Sequence, residues 1–426
     1  DAIFLSAKQQ IERLNETYSD RPFHLFQRSR KWNASEGVWM GWERKRGKLV
    51  EFVELLKGST KTSFIDVIGD ASFLKKVKYI ITLDADTMLP LESAKRMIGS
   101  MHLPFNRPRL NGSGTRVTEG YGVLQPRIGM SLECAQRSKL AALWLADPGT
   151  DPYAFAVSDP YQDGLGEGIF TGKGIFDVNA FHQVLCDRIP DNRVLSHDLL
   201  EGGFLRAGLL SDVELIDEHP ARFVAHQKRQ HRWIRGDWQL LLWLFPKVRN
   251  RKGELWPVDL SILTRWQIID NLRRSLLYPM LLASMLLAAF VLPREAAMRW
   301  FILVLATVFL PVIRHLFSVR TVARHPRSVL FVAGQALLSL ITLPFQTVMM
   351  LDAIVRTLYR LFVTKRFLLE WTTAAEVDRS SRQKGTPVMN GLYGGYTLAG
   401  LFLMAAIWNG TSAVQVTGAV LTAIWL

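Results

Sequence analysis

Two aspartates separated by one residue, Asp84 and Asp86, stand at the end of the apolar run 77–83. A β-prone run that ends in acids predicts a buried strand that delivers both carboxylates to a sheet edge. Residues i and i+2 of a strand point to the same side, so both acids can reach one cation. A divalent ion held by one or two carboxylates and completed by substrate phosphates is the usual magnesium arrangement. The pattern indicates a transferase with a nucleoside diphosphate donor, although a solvated turn at a strand end also fits an isolated Asp-x-Asp.

A third carboxylate, Asp198, opens a helical pattern within the segment 195–202 and directly follows His197. An acid in the first turn of a helix is commonly a cap or a partner of the helix dipole. The functional interpretation is a general base. Sugar transfer with inversion needs a carboxylate that takes the proton of the attacking hydroxyl as positive charge develops on the anomeric carbon.

The segment 164–174 is rich in glycine and contains Gly166 and Glu167. Glycine allows the backbone to approach a sugar or a phosphate closely. The spacing of glycine, lysine and hydroxyl residues does not match a P-loop, and an ordinary flexible turn is the alternative. Gln125 lies in a Gln-Pro-Arg sequence after a predicted strand, where proline ends the strand and turns polar groups toward a cleft.

A basic and aromatic segment, 229–239, precedes the first long apolar run. Its cations can hold a pyrophosphate, and its indole rings can stack on a sugar. The candidate binding residues are Gln230, Arg232, Trp233 and Trp238. A basic amphipathic helix on a membrane surface is the competing interpretation, and the two are compatible.

The elements that must position these residues form an α/β domain over 1–245. Helical spacing predicts helices over 1–19 and within 39–56. Strands are predicted at 23–26, 77–83, 121–126, 169–176 and 213–216.

Residues 246–426 are predicted to form interfacial and transmembrane helices. Apolar runs predict spans at 275–292, at 300–313 continuing into 315–319, and at 330–351, 396–408 and 413–426. Pro344 interrupts the third run, and arginines flank it on both sides. Because positive residues favour the cytosolic side, we expect this run to lie in the interface or to re-enter.

The net charge of +14 would favour nucleic acid in a soluble protein. Here the basic residues border apolar runs, which is typical of membrane anchors, so we expect no nucleic-acid partner. Few charges fall inside the predicted spans, which argues against a transporter. The two cysteines predict reduced thiols without a disulfide.

In this order, the motifs resemble the membrane-embedded processive glycosyltransferases of the cellulose synthase type. The segment 39–49, together with 166–177 and 232–239, looks most like the cyclic β-1,2-glucan synthase family, and the match covers nearly the whole chain. The departures are Arg229 at the usual glutamine position of the Gln-x-x-Arg-Trp motif, and Ser196-His197-Asp198 in place of Thr-Glu-Asp. The segment 361–366 is similar to the gating loop of the superfamily, and an interfacial basic helix fits it equally well.

The resemblance implies a cytosolic GT-A-like domain that uses UDP-glucose and Mg²⁺ or Mn²⁺ at the bacterial inner membrane. Asp84 and Asp86 would bind the metal and UDP, Asp198 would be the base, and Arg232-Trp233 would face the diphosphate and the β-glucan acceptor. In that family this module is part of a larger polypeptide. We therefore expect further domains, and a first strand with the uracil-binding acid, upstream of Asp1. A synthase of linear osmoregulated glucan or of a cellulose-like polymer would share nearly all of these residues.

Overall fold

The computed structural model describes residues 2–70, 72–143, 159–220, 222–317, 327–371, 387–408 and 412–425. The chain is a mixed α/β protein with a set of apolar helices in its last third. This confirms the coarse fold prediction.

A four-stranded mixed sheet forms the centre of the α/β part, in the order β10-β8-β9-β5. Strands β10 and β8 are parallel, whereas β9 is antiparallel to both of its neighbours. The predicted acid-bearing strand exists, but within the described residues it is a half-buried strand at the edge of this sheet. The strands are β5 (Tyr79–Thr82), β8 (Val123–Met130), β9 (Gly174–Asp177) and β10 (Ala207–Asp217).

Two-stranded antiparallel pairs accompany this sheet. They pair β1 (Leu25–Arg28) with β4 (Phe64–Ile68), β2 (Lys31–Asn33) with β3 (Val38–Met40), β6 (Arg109–Leu110) with β7 (Val117–Glu119), and β11 (Lys247–Arg249) with β12 (Leu255–Pro257).

Helices of the α/β part follow the predicted periodicity, and several of them begin at aspartate or serine caps. They are α1 (Ala2–Thr17), α2 (Arg44–Leu56), α3 (Ser93–His102), α4 (Leu132–Gln136), α5 (Lys139–Leu143), α6 (Pro160–Leu165), α7 (Val178–Leu185), α8 (Asp198–Leu205) and α9 (Phe223–Gln239).

The predicted strand over 169–176 is wrong at its start, because pairing begins only at Gly174. Gly172 has φ +88°, a left-handed conformation that breaks an extended strand. The residues before Gly174 therefore form a loop, and this loop enters the candidate site.

The main apolar core packs α2, α7 and α8 against the sheet. Ile268 and Leu272, from a helix that begins at Ile262, belong to the same core. The core of the α/β part thus continues beyond residue 245.

The last third consists of α10 (Ile262–Val291), α11 (Arg294–Val308), α12 (Leu310–Phe317), α13 (Arg327–Ile341), α14 (Leu343–Tyr359), α15 (Pro387–Trp408) and α16 (Ser412–Trp425). Among the described residues, α10 is long and apolar enough to cross a membrane, and the number of candidate spans rises to at most three if each of two bent helix pairs is one span. The bends are 59° between α11 and α12, and 71° between α13 and α14.

The second bend falls beside Pro344, where the sequence predicted an interruption. After the bend, α14 packs along α9 of the α/β part. Residues 318–319 and 426, at the ends of two predicted spans, lie outside the described residues.

Candidate active site

The acid pair lies in a turn that leaves β5 and is held against β10. Met88 exchanges two backbone hydrogen bonds with Ile216, at 2.8 and 3.2 Å. Thr87 Oγ1 donates to Asp217 Oδ1 at 2.6 Å. These contacts fix the turn that carries Asp84 and Asp86 at the end of the central sheet.

Asp84 sits between two lysines. Lys45 Nζ lies 2.5 Å from Asp84 Oδ1, and Lys173 Nζ lies 3.5 Å from Asp84 Oδ2. Burial favours the protonated acid, but the two ammonium groups outweigh it and lower the pKa of Asp84. The side chain of Asp84 is 36% exposed, so a charged carboxylate remains accessible to a ligand.

Lys45 lies at the start of α2, where the cap residue Glu43 and the first helical residue Arg44 both have positive φ. Its ammonium also donates to the carbonyl of Gly172 at 2.9 Å. Burial opposes the charge, but the carboxylates of Asp198 and Asp84 raise the pKa of Lys45. Lys45 is thus a cation that interacts electrostatically with the predicted base, Asp198, and with one acid of the predicted metal site, Asp84.

Asp198 is the first residue of α8, as the sequence predicted. A Cβ on Gly172 would lie 2.6 Å from Asp198 Oδ1, so only glycine lets the loop pass this carboxylate. Burial raises the pKa of Asp198, and the charges of Glu201 and Asp84 add to that effect against His197 and Lys45. A carboxylate with a raised pKa holds a proton more firmly, which suits a base.

His197 lies between Asp198 and a buried glutamate. Its Nδ1 is 3.3 Å from Asp198 Oδ1 and 3.2 Å from Glu201 Oε1. Burial lowers the pKa of His197, but the two carboxylates outweigh burial and raise it. The three residues offer ligand atoms within 4.8 Å of one another, so they could also hold a metal ion.

Arg229 and Arg232 of α9 lie close enough to the acid pair to feel its charge. Burial lowers the pKa of Arg229 to about 10, while Asp217 and Asp86 favour its charged form. Burial also lowers the pKa of Arg232, and Asp84 and Asp86 oppose that shift. The wall opposite the acid pair is therefore cationic and suited to phosphate oxygens.

The remaining predicted residues are distributed around this centre. Trp233 is 36% exposed, and the Arg229 guanidinium lies 4.8 Å from its ring centre. Gln230 lies half-buried on α9. Trp238 points toward α10, where its indole N–H donates to Ser275 Oγ at 2.9 Å.

Gln125 and the Gly166-Glu167 pair contact the protein itself. Gln125 Oε1 accepts hydrogen bonds from the backbone N–H and the hydroxyl of Thr171, at 2.8 and 3.1 Å, and so supports the loop before Gly172. Gly166 ends α6 with φ +69°. Glu167 accepts from Ser261 Oγ at 3.0 Å.

The sequence did not single out the roles of Lys45, Lys173, Glu201 or Asp217. Lys45 lies within the segment 39–49 and Lys173 within the glycine-rich segment, so both were inside motifs without a role of their own. The contacts of Lys45 and Lys173 with the acids join residues far apart in the chain, and no local spacing reveals them. Glu201 is different, because its i,i+4 spacing from His197 within the segment 195–202 could have indicated its contact.

No family model matches the chain. The chain is 41% identical over 387 residues to the cyclic beta-(1,2)-glucan synthase NdvB of Rhizobium meliloti (strain 1021). The chain belongs to the cyclic β-1,2-glucan synthase family. The alignment covers 87% of this chain but only 13% of that relative. The family resemblance predicted from the segments 39–49, 166–177 and 232–239 is thereby confirmed.

Proposed function

We propose that this site is a GT-A-type glycosyltransferase centre that transfers glucose from UDP-glucose to a growing β-1,2-glucan with inversion. The observation that carries the proposal is the position of Lys45, which donates to Asp84 and to the carbonyl of Gly172, the residue whose backbone passes directly beside Asp198. It brings the predicted donor-side acid and the predicted base to one cation. The name of the relative supports the product, because that protein is a cyclic β-1,2-glucan synthase.

In the proposed reaction, an acceptor hydroxyl oxygen attacks the anomeric carbon of glucose from the face opposite UDP. The new C–O bond forms as the bond to the diphosphate oxygen breaks, and that oxygen leaves with the electron pair. The hydroxyl proton passes to Asp198. The raised pKa of Asp198 strengthens it as a proton acceptor, and the charge of Lys45 opposes part of that shift.

The departing diphosphate gains negative charge that the protein must stabilise. Arg229 and Arg232 supply fixed guanidinium groups, which match phosphate oxygens well. Lys173 adds an ammonium group beside Asp84. These cations act on the leaving group, where their effect on the rate is greatest.

We assign Mg²⁺ or Mn²⁺ to Asp84 and Asp86. Carboxylate oxygens are the ligands that both ions prefer. The partly exposed Asp84 already has two ammonium groups beside it, so its surroundings favour positive charge. The ion, when bound, would neutralise charge on the donor diphosphate. An ion held by His197, Asp198 and Glu201 would occupy the proposed base, so that set is the less suitable one.

The acceptor and the membrane complete the proposal. The exposed face of Trp233 offers a stacking surface for a sugar ring of the glucan. The apolar helices would hold the catalytic part on the cytosolic side of the bacterial inner membrane and lead the glucan outward. Because the relative is far longer than this chain, we expect other domains of one polypeptide as partners.

The test is to incubate membranes that contain the full-length protein with labelled UDP-glucose and Mg²⁺, and to determine the linkage of the polymer. Membranes with the Asp198→Asn variant serve as the matched control. We expect β-1,2 linkages from the unmodified protein and no polymer from the variant. A β-1,4 product would instead favour a cellulose-like synthase, a linear β-1,2 product would favour an osmoregulated glucan synthase, and equal polymer from both membranes would refute the site.

A further inference from the structure

A short segment after α14, Phe367–Trp371, returns from the apolar helices to the α/β part. We call it the strap. Leu368 and Leu369 are each only 1% exposed. The strap forms no regular secondary structure in the described residues. Its buried backbone polar groups must therefore find partners among side chains and loops.

Those partners come from the start of the chain, from α9 and from the turn before the strap. Phe367 N–H donates to the Ser35 carbonyl at 3.1 Å, and Leu369 N–H donates to Glu36 Oε1 at 2.8 Å. The strap carbonyls accept from Arg360 at 2.7 Å, Gln239 at 2.7 Å, Arg44 at 2.6 Å, and Arg235.

A salt-bridge clamp reinforces the strap. The Glu370 carboxylate lies 2.9 Å from Arg235 Nη1 and 2.6 Å from Arg360 Nη1. Arg235 belongs to α9 and Arg360 to the end of the helical segment, so one carboxylate ties the two elements together.

The backbone is strained both in the strap and in the surface on which the strap docks. Phe367 has φ +58° on the strap, and Arg44 has φ +53° in the surface that receives it. Left-handed conformations are unfavourable for such side chains and persist only where surrounding contacts enforce them. The docked strap is therefore a specified arrangement and not a loose connection.

The strap ends with Trp371 beside two arginines. The Arg232 guanidinium lies 5.6 Å from the Trp371 ring centre, and the Arg44 guanidinium lies 5.9 Å from it. Both distances allow a cation–π interaction. The charges of Asp84 and Asp86 favour the charged form of Arg232, and Arg44 directly precedes Lys45 in the chain.

We infer that Trp371 is a positioning residue that holds the Arg232 guanidinium in place for the donor diphosphate. This inference rests on the proposed function, since it takes Arg232 to bind the diphosphate. An arginine side chain loses much rotamer freedom when it binds a phosphate, and an aromatic ring that fixes it beforehand reduces that loss. The strap thus extends the donor site to a residue that needs no contact with substrate.

The experiment measures UDP binding to the full-length protein in the presence of Mg²⁺. Trp371→Leu removes the ring, and Trp39→Leu is the matched control, because Trp39 is 65% exposed and packs edge-to-face with Trp32 in the β2–β3 hairpin. We expect Trp371→Leu to weaken UDP binding about 3- to 30-fold, as the range of cation–π energies implies. Trp39→Leu should leave it unchanged, and Trp371→Phe should restore part of the affinity.

A double-mutant cycle separates positioning from a general structural effect. If Trp371 acts through Arg232, then Trp371→Leu has no further effect on UDP affinity in an Arg232→Ala background. In turnover assays the KM for UDP-glucose should rise more than kcat falls.

Three outcomes would overturn the inference. Unchanged UDP affinity in Trp371→Leu, or an undiminished effect in the Arg232→Ala background, refutes the role of Trp371 and leaves the proposed function standing. An unmodified protein that binds no UDP refutes the proposed donor, and the inference falls with it.

Discussion

Lys45 and Arg46 are neighbours on α2, yet they belong to two different regions of the molecule. Arg46 pairs with Glu43 at 2.5 Å, and the two side chains are 2% and 1% exposed. Lys45 pairs with Asp84 at the same distance, but the two side chains are 31% and 36% exposed. One pair is sealed inside the protein, and the other is open to a ligand.

The buried pair, Glu43–Arg46, helps to position the candidate site that contains the exposed pair. Arg46 donates to the carbonyls of Ile189 and Pro190, and Glu43 Oε1 accepts from the backbone N–H of Asn192. This loop leads directly into Asp198. Ion pairs of equal length can therefore have different roles, because burial determines whether a charge stabilises the fold or remains available for chemistry.

The largest expected effect is on the rate of glucose transfer at the exposed candidate site. Asp198→Asn should lower glucose transfer by about 10²- to 10⁴-fold, because an amide cannot accept the hydroxyl proton. UDP binding should stay nearly intact, since Asp198 lies on the acceptor side in the proposed mechanism. Initial rates with labelled UDP-glucose and a UDP titration check both points. Substantial turnover in the variant would remove Asp198 from this role.

Breaking the buried Glu43–Arg46 pair should lower the stability of the fold. Glu43→Ala leaves the buried Arg46 without its carboxylate and should cost about 3–5 kcal/mol in the free energy of unfolding. The control is Glu92→Ala, which removes an exposed pair with Lys95 and should leave the melting temperature unchanged. Equal melting temperatures for the two variants would contradict the distinction between the regions.

The acid pair should determine donor binding. Asp86→Ala removes a carboxylate assigned to the cation and should weaken Mg²⁺-dependent UDP binding by about 1.5–3 kcal/mol, the usual range for interactions with a charged group. Calorimetric titration with and without Mg²⁺ measures this. An unchanged affinity in the presence of Mg²⁺ would argue against the metal assignment.

Asp237 of α9 differs from both ion pairs, because its carboxylate accepts a hydrogen bond from an amide. Burial raises its pKa to about 7, while a hydrogen bond from Asn271 at 3.0 Å and the charge of Arg274 oppose that shift. The folded state therefore holds a proton that the unfolded chain releases near pH 4. Its contribution to stability is full at low pH and is lost as the pH rises toward about 7, at up to about 1.4 kcal/mol per pH unit.

Asp237→Asn should remove this dependence. Thermal unfolding of the detergent-solubilised protein between pH 5 and pH 8 compares the two forms. The unmodified protein should lose more stability than the variant over that range. Parallel curves would show that Asp237 does not carry the proton.

Part of the site was predictable from local pattern. The apolar run before Asp84 gave the strand, and the helical pattern after His197 placed Asp198 in a first turn, since both depend on residues a few positions apart. The motifs in 39–49, 166–177 and 232–239 were enough to identify the family. The roles of individual side chains were less accessible. Gln125 and Trp238 have polar groups that a binding cleft could use, but the structure pairs these groups with Thr171 and Ser275.

The sequence by itself therefore determined the elements, the family and the acids that could do chemistry, because periodicity and motif spacing depend on residues close together in the chain. Only the tertiary structure decided which cations those acids meet. Lys45 and Asp84 are 39 positions apart, and Arg44 meets the strap across 325 positions. Contacts over such separations depend on how the helices and the sheet pack, and no local spacing encodes that packing.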